Sequence, residues 1–154
     1  SWRNGSSGTN AFLEDYAYLI RGLLRLEEAS SNSVRLDQAA SLATQAKERF
    51  WDEQSGGWFE TLDAQDDLLV RGRSFYDGAM PSANAVMINN MIDLYEQTGK
   101  KSYGEDAVAG LSSVSSEINE SPRGVVHSVQ ALHRLESKHT ELIRETTTVK
   151  KAPG

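Results

Sequence analysis

The stretch SANAVMINNMIDLYEQTG, residues 82–99, decides the fold. Its residues Ala85, Ile88, Met91, Ile92 and Tyr95 recur at the spacing of one helix face. Ser82 stands where an N-cap belongs, and Gly99 where a left-handed residue closes a last turn, so the spacing predicts a helix from about Ser82 to Thr98. Shifted by 68 positions, the same pattern appears upstream, with Ala17 on Ala85, Ile20 on Ile88, Leu24 on Ile92 and Leu26 on Leu94.

The register carries on through the next helix of each copy. Ala39 falls on Ala107, Ala43 on Leu111 and Phe50 on Ile118. Two helical hairpins in one register predict a stacked array, in which each unit buries its apolar face on a neighbour. The first helix opens near Asn10 as N-cap and carries Phe12, Leu13, Tyr16, Ile20, Leu23 and Leu24. A second follows the Ser-Asn-Ser break at 31–33, and the fourth runs from about Tyr103 to Ile118, stopping at Ser121-Pro122. A fifth begins near Val125 and reaches about Ile143, so five helices are expected. Residues 144–154 lack a period and read as a flexible tail.

The connection at 53–81 has no helical period, yet it is rich in aromatic and aliphatic side chains. Such long connections are usually functional or disordered, and this composition is not that of disorder. Trp58-Phe59-Glu60-Thr61 and Leu68-Leu69-Val70-Arg71 are expected to pair as a short β-hairpin about the acidic turn Asp63–Asp67. The fold class is therefore mainly α, helical-hairpin repeats with one short β-hairpin in 53–81.

Composition narrows the function. The 154 residues carry a net charge of -6 and only scattered Lys and Arg, which argues against a nucleic-acid partner. No apolar run approaches the roughly 20 residues that span a bilayer. Without cysteine there is no disulfide, no thiolate nucleophile and no Cys-based metal site, which fits a reducing, cytoplasmic setting. His127, His133 and His139 follow one another at a spacing of six, which does not hold them on one helix face. Neither a metal nor a cofactor is expected. The chain opens without Met, and is expected to begin inside a longer protein.

Four segments occur in a telling order: Ser-Trp-Arg-Asn-Gly (1–5), Phe-Leu-Glu-Asp-Tyr-Ala (12–17), Gly-Gly-Trp-Phe-Glu-Thr (56–61) and Tyr-Asp-Gly-Ala-Met-Pro-Ser-Ala-Asn (76–84). In this the chain resembles, over about residues 1–135, the C-terminal region of the spermatogenesis-associated protein 20 family, also called the YyaL-type thioredoxin-domain-containing proteins. The resemblance implies an N-terminal thioredoxin-like domain elsewhere, followed by an (α/α)6 toroid similar to N-acylglucosamine 2-epimerases and six-hairpin glycosidases. Residues 1–143 would then be a partial toroid domain, with the rest of the ring as its partner. The paired histidines that serve epimerases as acid and base have no counterpart here.

Candidate site residues come from those motifs. Glu14, Asp15 and Asp77 are the carboxylates available for acid–base work, although acids in a first turn also complement a helix dipole. Asp77-Gly78 and Pro81-Ser82 equally read as turn and cap, whereas Asn84 inside a helix calls for a reason beyond propensity. Tyr16 and Asn84 are 68 positions apart, so both would begin an odd-numbered helix at one mouth. Trp2, Arg3, Tyr16, Trp58, Phe59, Arg71, Tyr76, Ser82 and Asn84 are the candidate ligand-binding residues; aromatic rings beside carboxylates hold sugar faces, but they also pack cores. Arg71 and Arg73 would bind an anionic group or pair with Asp66 and Asp67. Two readings stay open: a scaffold binding a small polyhydroxylated ligand or a protein, and a carbohydrate-active domain of the complete protein.

Overall fold

The computed structural model describes residues 11–30, 33–62 and 71–145 in full, and the backbone of 2–3, 6–7 and 146–149. Seven α-helices lie among the described residues: α1 (Leu13–Ser30), α2 (Ser33–Phe50), α3 (Ala83–Thr98), α4 (Lys101–Ser113), α5 (Ser115–Glu120), α6 (Val126–Lys138) and α7 (Thr140–Val149). A 3-10 turn (Pro122–Gly124) precedes α6, and a two-residue ladder pairs β1 (Trp2–Arg3) with β2 (Ser6–Ser7).

The helices form two layers. α1 packs on α2, α3 on α4, and α6 on α7, while α1 and α6 flank α3 and α4 meets α7. Contacts between α1 and α3 climb in step, Asn90 meeting Ala17 and Asp93 meeting Arg25, so these two run in one direction. On α6, His127 bonds Asn89 and Arg134 bonds Asp93, which gives α6 the same direction. The inner layer is thus α1, α3 and α6. As its middle member, α3 buries every residue from Asn84 to Leu94 except Asn89.

The repeat holds in three dimensions. Ala17, Ile20 and Leu24 are buried as Ala85, Ile88 and Ile92 are. The exception is instructive: Leu26 is 54% exposed while Leu94 is fully buried, and Leu19 is 54% exposed while its equivalent Met87 is fully buried. α3 has an inner helix on each side; α1 has one on one side only.

Two expected helices are broken, which makes seven of five. In α4 the run Ser112-Ser113-Val114-Ser115 turns hydroxyls back on the backbone, Ser113 Oγ to Gly110 O at 2.7 Å and Ser115 Oγ to Ser112 O at 2.9 Å. That local competition interrupts the ladder at Val114. The second break falls at His139, where Ser137 Oγ bonds His133 O and the imidazole reaches Glu96. Helix α7 continues to Val149, past the end of the sequence period; residues 150–154 lie outside those described.

The expected β-hairpin in 53–81 is not formed. Trp58 makes an isolated bridge with Trp51 and Thr61 one with Phe12, so Trp58–Thr61 pairs with the ends of α2 and α1. A single backbone bond joins Glu60 N to Gly72 O, and residues 63–70 lie outside those described. Burial decided the partners: Trp58 is drawn fully into the core beneath α3 and α4, contributing on the order of 1.5–3 kcal/mol.

The path of this loop needs two glycines. Gly56 and Gly57 both have positive φ, and a Cβ at Gly57 would lie 2.5 Å from Ser113 Oγ. Gly22, mid-way along α1, would meet nothing within 4 Å. The same substitution should therefore act oppositely at the two positions. In urea unfolding, Gly57→Ala is expected to cost about 2 kcal/mol, and Gly22→Ala to gain up to about 1 kcal/mol. Equal effects at both positions would contradict this loop path.

Candidate functional site

The residues singled out from the sequence divide into those that build the scaffold and those that face open space. Asp15 accepts the Phe12 N–H at 3.1 Å, so it closes the first turn of α1, and Phe12 is the N-cap. The expected cap Asn10 lies outside the described residues. Ser82 caps α3 by accepting Ala85 N–H at 3.2 Å. Asn84 is fully buried, and its amide clasps the backbone of Trp58 twice: Oδ1 accepts Trp58 N–H and Nδ2 donates to Trp58 O, each at 2.9 Å. Its need for a reason beyond helix propensity is answered there.

Asp77 joins two helix starts. Oδ1 accepts Ser82 N–H at 2.9 Å ahead of α3, and Oδ2 accepts His127 N–H at 2.9 Å in the first turn of α6. The same oxygen lies 3.1 Å from His127 Nδ1. Two helix N-termini, each with partial positive charge, meet one carboxylate. Tyr76 is 58% exposed with its ring laid on Gly124, whose missing side chain leaves room for it.

The aromatic and basic candidates are mostly packed. Tyr16 sits edge-on to Phe50 at 5.6 Å, and Trp58 edge-on to Trp51 at 4.8 Å. Phe59 carries the guanidinium groups of Arg71 and Arg73 at 4.2 and 4.7 Å from its ring centre. Arg71 donates to the carbonyls of Thr61 and Arg49, and Arg73 pairs with Asp52 and donates to Gly56 O. The alternative acids Asp66 and Asp67 lie outside the described residues, as do the side chains of Trp2 and Arg3. Glu14 remains open to solvent and lines a recess of about 280 Å³ with Glu60, Met80 and Ser82. Asp15, Asp77 and Asn84 do not line that recess.

A larger concavity lies elsewhere. Between α1 and α6, floored by α3, runs a groove of about 730 Å³. Val86, Val126 and Val129 supply apolar wall, and Asn89 and Asp93 supply polar floor. Asp93 has 6% of its side chain exposed and is held by Arg134 at 2.7 Å and Arg25 at 3.7 Å. Arg134 also bonds Glu96 at 2.9 Å. His127 and His133 both reach the groove, although a spacing of six separates them around α6; the groove is wide enough to span that arc. None of these except His127 and His133 stood out in the sequence. The signal was present as Asn89, Asn90, Asp93 and Glu96, a polar stripe at helical spacing on the most buried helix.

Among the described residues no three His, Asp or Glu side chains gather as a metal site. No helix among them is long and apolar enough to cross a membrane.

Stacked helical hairpins with a groove along their inner helices define the class of protein: a mainly α, helical-hairpin array. No family model matches the chain. Over 122 residues, 79% of the chain, it is 38% identical to spermatogenesis-associated protein 20 of Homo sapiens and to that of Rattus norvegicus, covering 16% of each. It is also 30% identical over 139 residues to an uncharacterised protein of Caenorhabditis elegans, covering 19% of it. Over this stretch the chain belongs to the spermatogenesis-associated protein 20 family, as its motifs implied. It spans about a sixth of the length of the curated relatives it matches.

The far end of the groove is tied down by Glu96, which bonds Arg134 from α6 and, at 2.9 Å, His139 from the α6–α7 junction. Burial raises the Glu96 carboxyl, but the His139 hydrogen bond and the Arg134 and Lys138 charges outweigh it and hold it below its usual value. A lowered folded-state pKa stabilises above the unfolded value, about 4.3, and that contribution is lost as pH falls through the folded one. Acid titration of stability should therefore fall more steeply below about pH 4.3 for the native chain than for Glu96→Gln. Identical acid limbs would contradict the junction as described.

Proposed function

We propose that this chain is the ligand-binding stretch of a longer two-layer helical array, and that the groove along α1, α3 and α6 is the binding site. One observation carries the reading: the most buried helix turns its polar residues Asn89 and Asp93 into a concavity of about 730 Å³, well within the size of small-molecule sites. The ligand is a small polyhydroxylated molecule, for which Gln130 and His133 supply donors and acceptors against an apolar wall.

The remaining hairpins of the longer protein are the chain's partner. Leu19 and Leu26, exposed on α1 where α3 buries Met87 and Leu94, mark the flank that a preceding hairpin covers. The acid–base reading on carbohydrates draws less support. Asp15 and Asp77 already hold backbone N–H groups, and Glu14 faces the smaller recess.

Gln130 is exposed on α6 and lines the groove, so a large side chain there fills it without disturbing the core. In an NMR screen of sugars, polyols and their phosphates, saturable shifts are expected at the amides of Asn89, Asp93, Val126 and Gln130. Gln130→Trp should abolish them while leaving the far-ultraviolet spectrum unchanged. Shifts confined to other faces, or binding indifferent to Gln130→Trp, would overturn the reading.

A further inference from the structure

Resting on that groove as the binding site, we infer that its ligand is a phosphate monoester, held through its dianionic phosphate by Arg21 and Arg123. The chain as a whole is acidic, with a net charge of -6. This groove reverses that balance: Arg21, Arg25, Arg123 and Arg134 line it against one acid, Asp93. Clustering four of the 16 basic residues around one concavity runs against the charge of the rest of the surface.

The four arginines are not equivalent. Arg134 and Arg25 meet Asp93, and beyond the lining they meet Glu96 and Glu28. Arg21, from the first half of α1, and Arg123, from the turn before α6, make no hydrogen bond or ion pair with another described residue. The near end of the groove therefore holds two uncompensated guanidinium groups. His127 lies at the same end, with its backbone N–H and Nδ1 already engaged by Asp77.

Asp77, whose charge reaches Tyr18 together with those of Arg21 and Glu14, is already satisfied. Asp77 accepts from Ser82 N–H and His127 N–H and lies against His127 Nδ1, and it does not itself line the groove.

Charge count selects the ligand. A phosphate monoester carries about -1.5 to -2 charges at neutral pH and three strong acceptor oxygens, which matches two free guanidinium groups; a carboxylate brings a single charge. Guanidinium forks bind phosphate oxygens in pairs, with shorter and stronger hydrogen bonds than neutral donors give. The apolar wall of Val86, Val126 and Val129 leaves room for the carbon body beyond the phosphate.

Matched pairs test this: glycerol against glycerol 3-phosphate, and glucose against glucose 6-phosphate, titrated into the 154-residue chain and followed by amide shifts at the groove. The phosphorylated member of each pair is expected to bind at least about tenfold more tightly, with the advantage shrinking as salt rises. Arg21→Gln combined with Arg123→Gln should reduce that advantage to less than about threefold, with the helical spectrum retained. Groove binding in which phosphate makes no difference would overturn the anion inference and leave the binding site standing. No saturable shift at groove amides with any of the four probes would overturn both.

Discussion

A single side-chain amide holds the loop between the two hairpins inside the core. Asn84 replaces a strand partner for Trp58, satisfying its N–H and its C=O at 2.9 Å each. Buried backbone groups left unpaired cost about 1–3 kcal/mol apiece, so without Asn84 the loop would be driven toward solvent. With it, Trp58 fills the space beneath α3 and α4, against Gly110, where a Cβ would lie 3.1 Å from the indole ring. Gly56 and Gly57 let the turn approach Ala109 and Ser113 on α4. The loop thus fastens α2 to the second hairpin, where helix-to-helix packing alone is slight.

Fixing one face of α3 frees the other for the groove. Asp77 performs a similar service at the near end, gathering the starts of α3 and α6 on one carboxylate. Asn90 donates to Ala17 O at 2.8 Å and locks α1 alongside. At the far end Arg134, Asp93 and Glu96 bind α6 to α3. α1 and α6 are therefore both held to α3, and the groove is the space between α1 and α6 over it. Its charge follows from the same division: the far arginines are neutralised by the clamp, and the near ones are not.

The repeat, the bounds of α3 and its two caps were legible because each depends on residues close in sequence. Ser82 and Gly99 act within one turn of themselves, and the 68-residue shift compares like with like. What was not legible involved distant backbone. Asn84 drew notice as a polar residue in a helix, but its partner lies 26 positions away and is a main chain without a sequence signature. Trp58–Thr61 had strand composition and was matched to the nearest similar run; the pull of Trp58 into the core sent it to Trp51 and Phe12 instead. Asp93 stands in a polar stripe beside the apolar one, and its charge makes sense only once Arg25 and Arg134 from two other helices surround it. Of the motif acids, Asp15 and Asp77 hold backbone N–H groups and Glu14 is exposed, whereas the groove residues lie largely outside the quoted motifs.

The main-chain amide of Trp58 reports directly on the clasp from which this arrangement follows. By hydrogen exchange it should open only with global unfolding, as slowly as the amides of Ile88 and Met91 in α3, and Asn84→Ala should release it to the rate of a surface loop. A Trp58 amide that exchanges in the native chain as fast as those of Glu53 and Ser55 in the adjoining turn would contradict it.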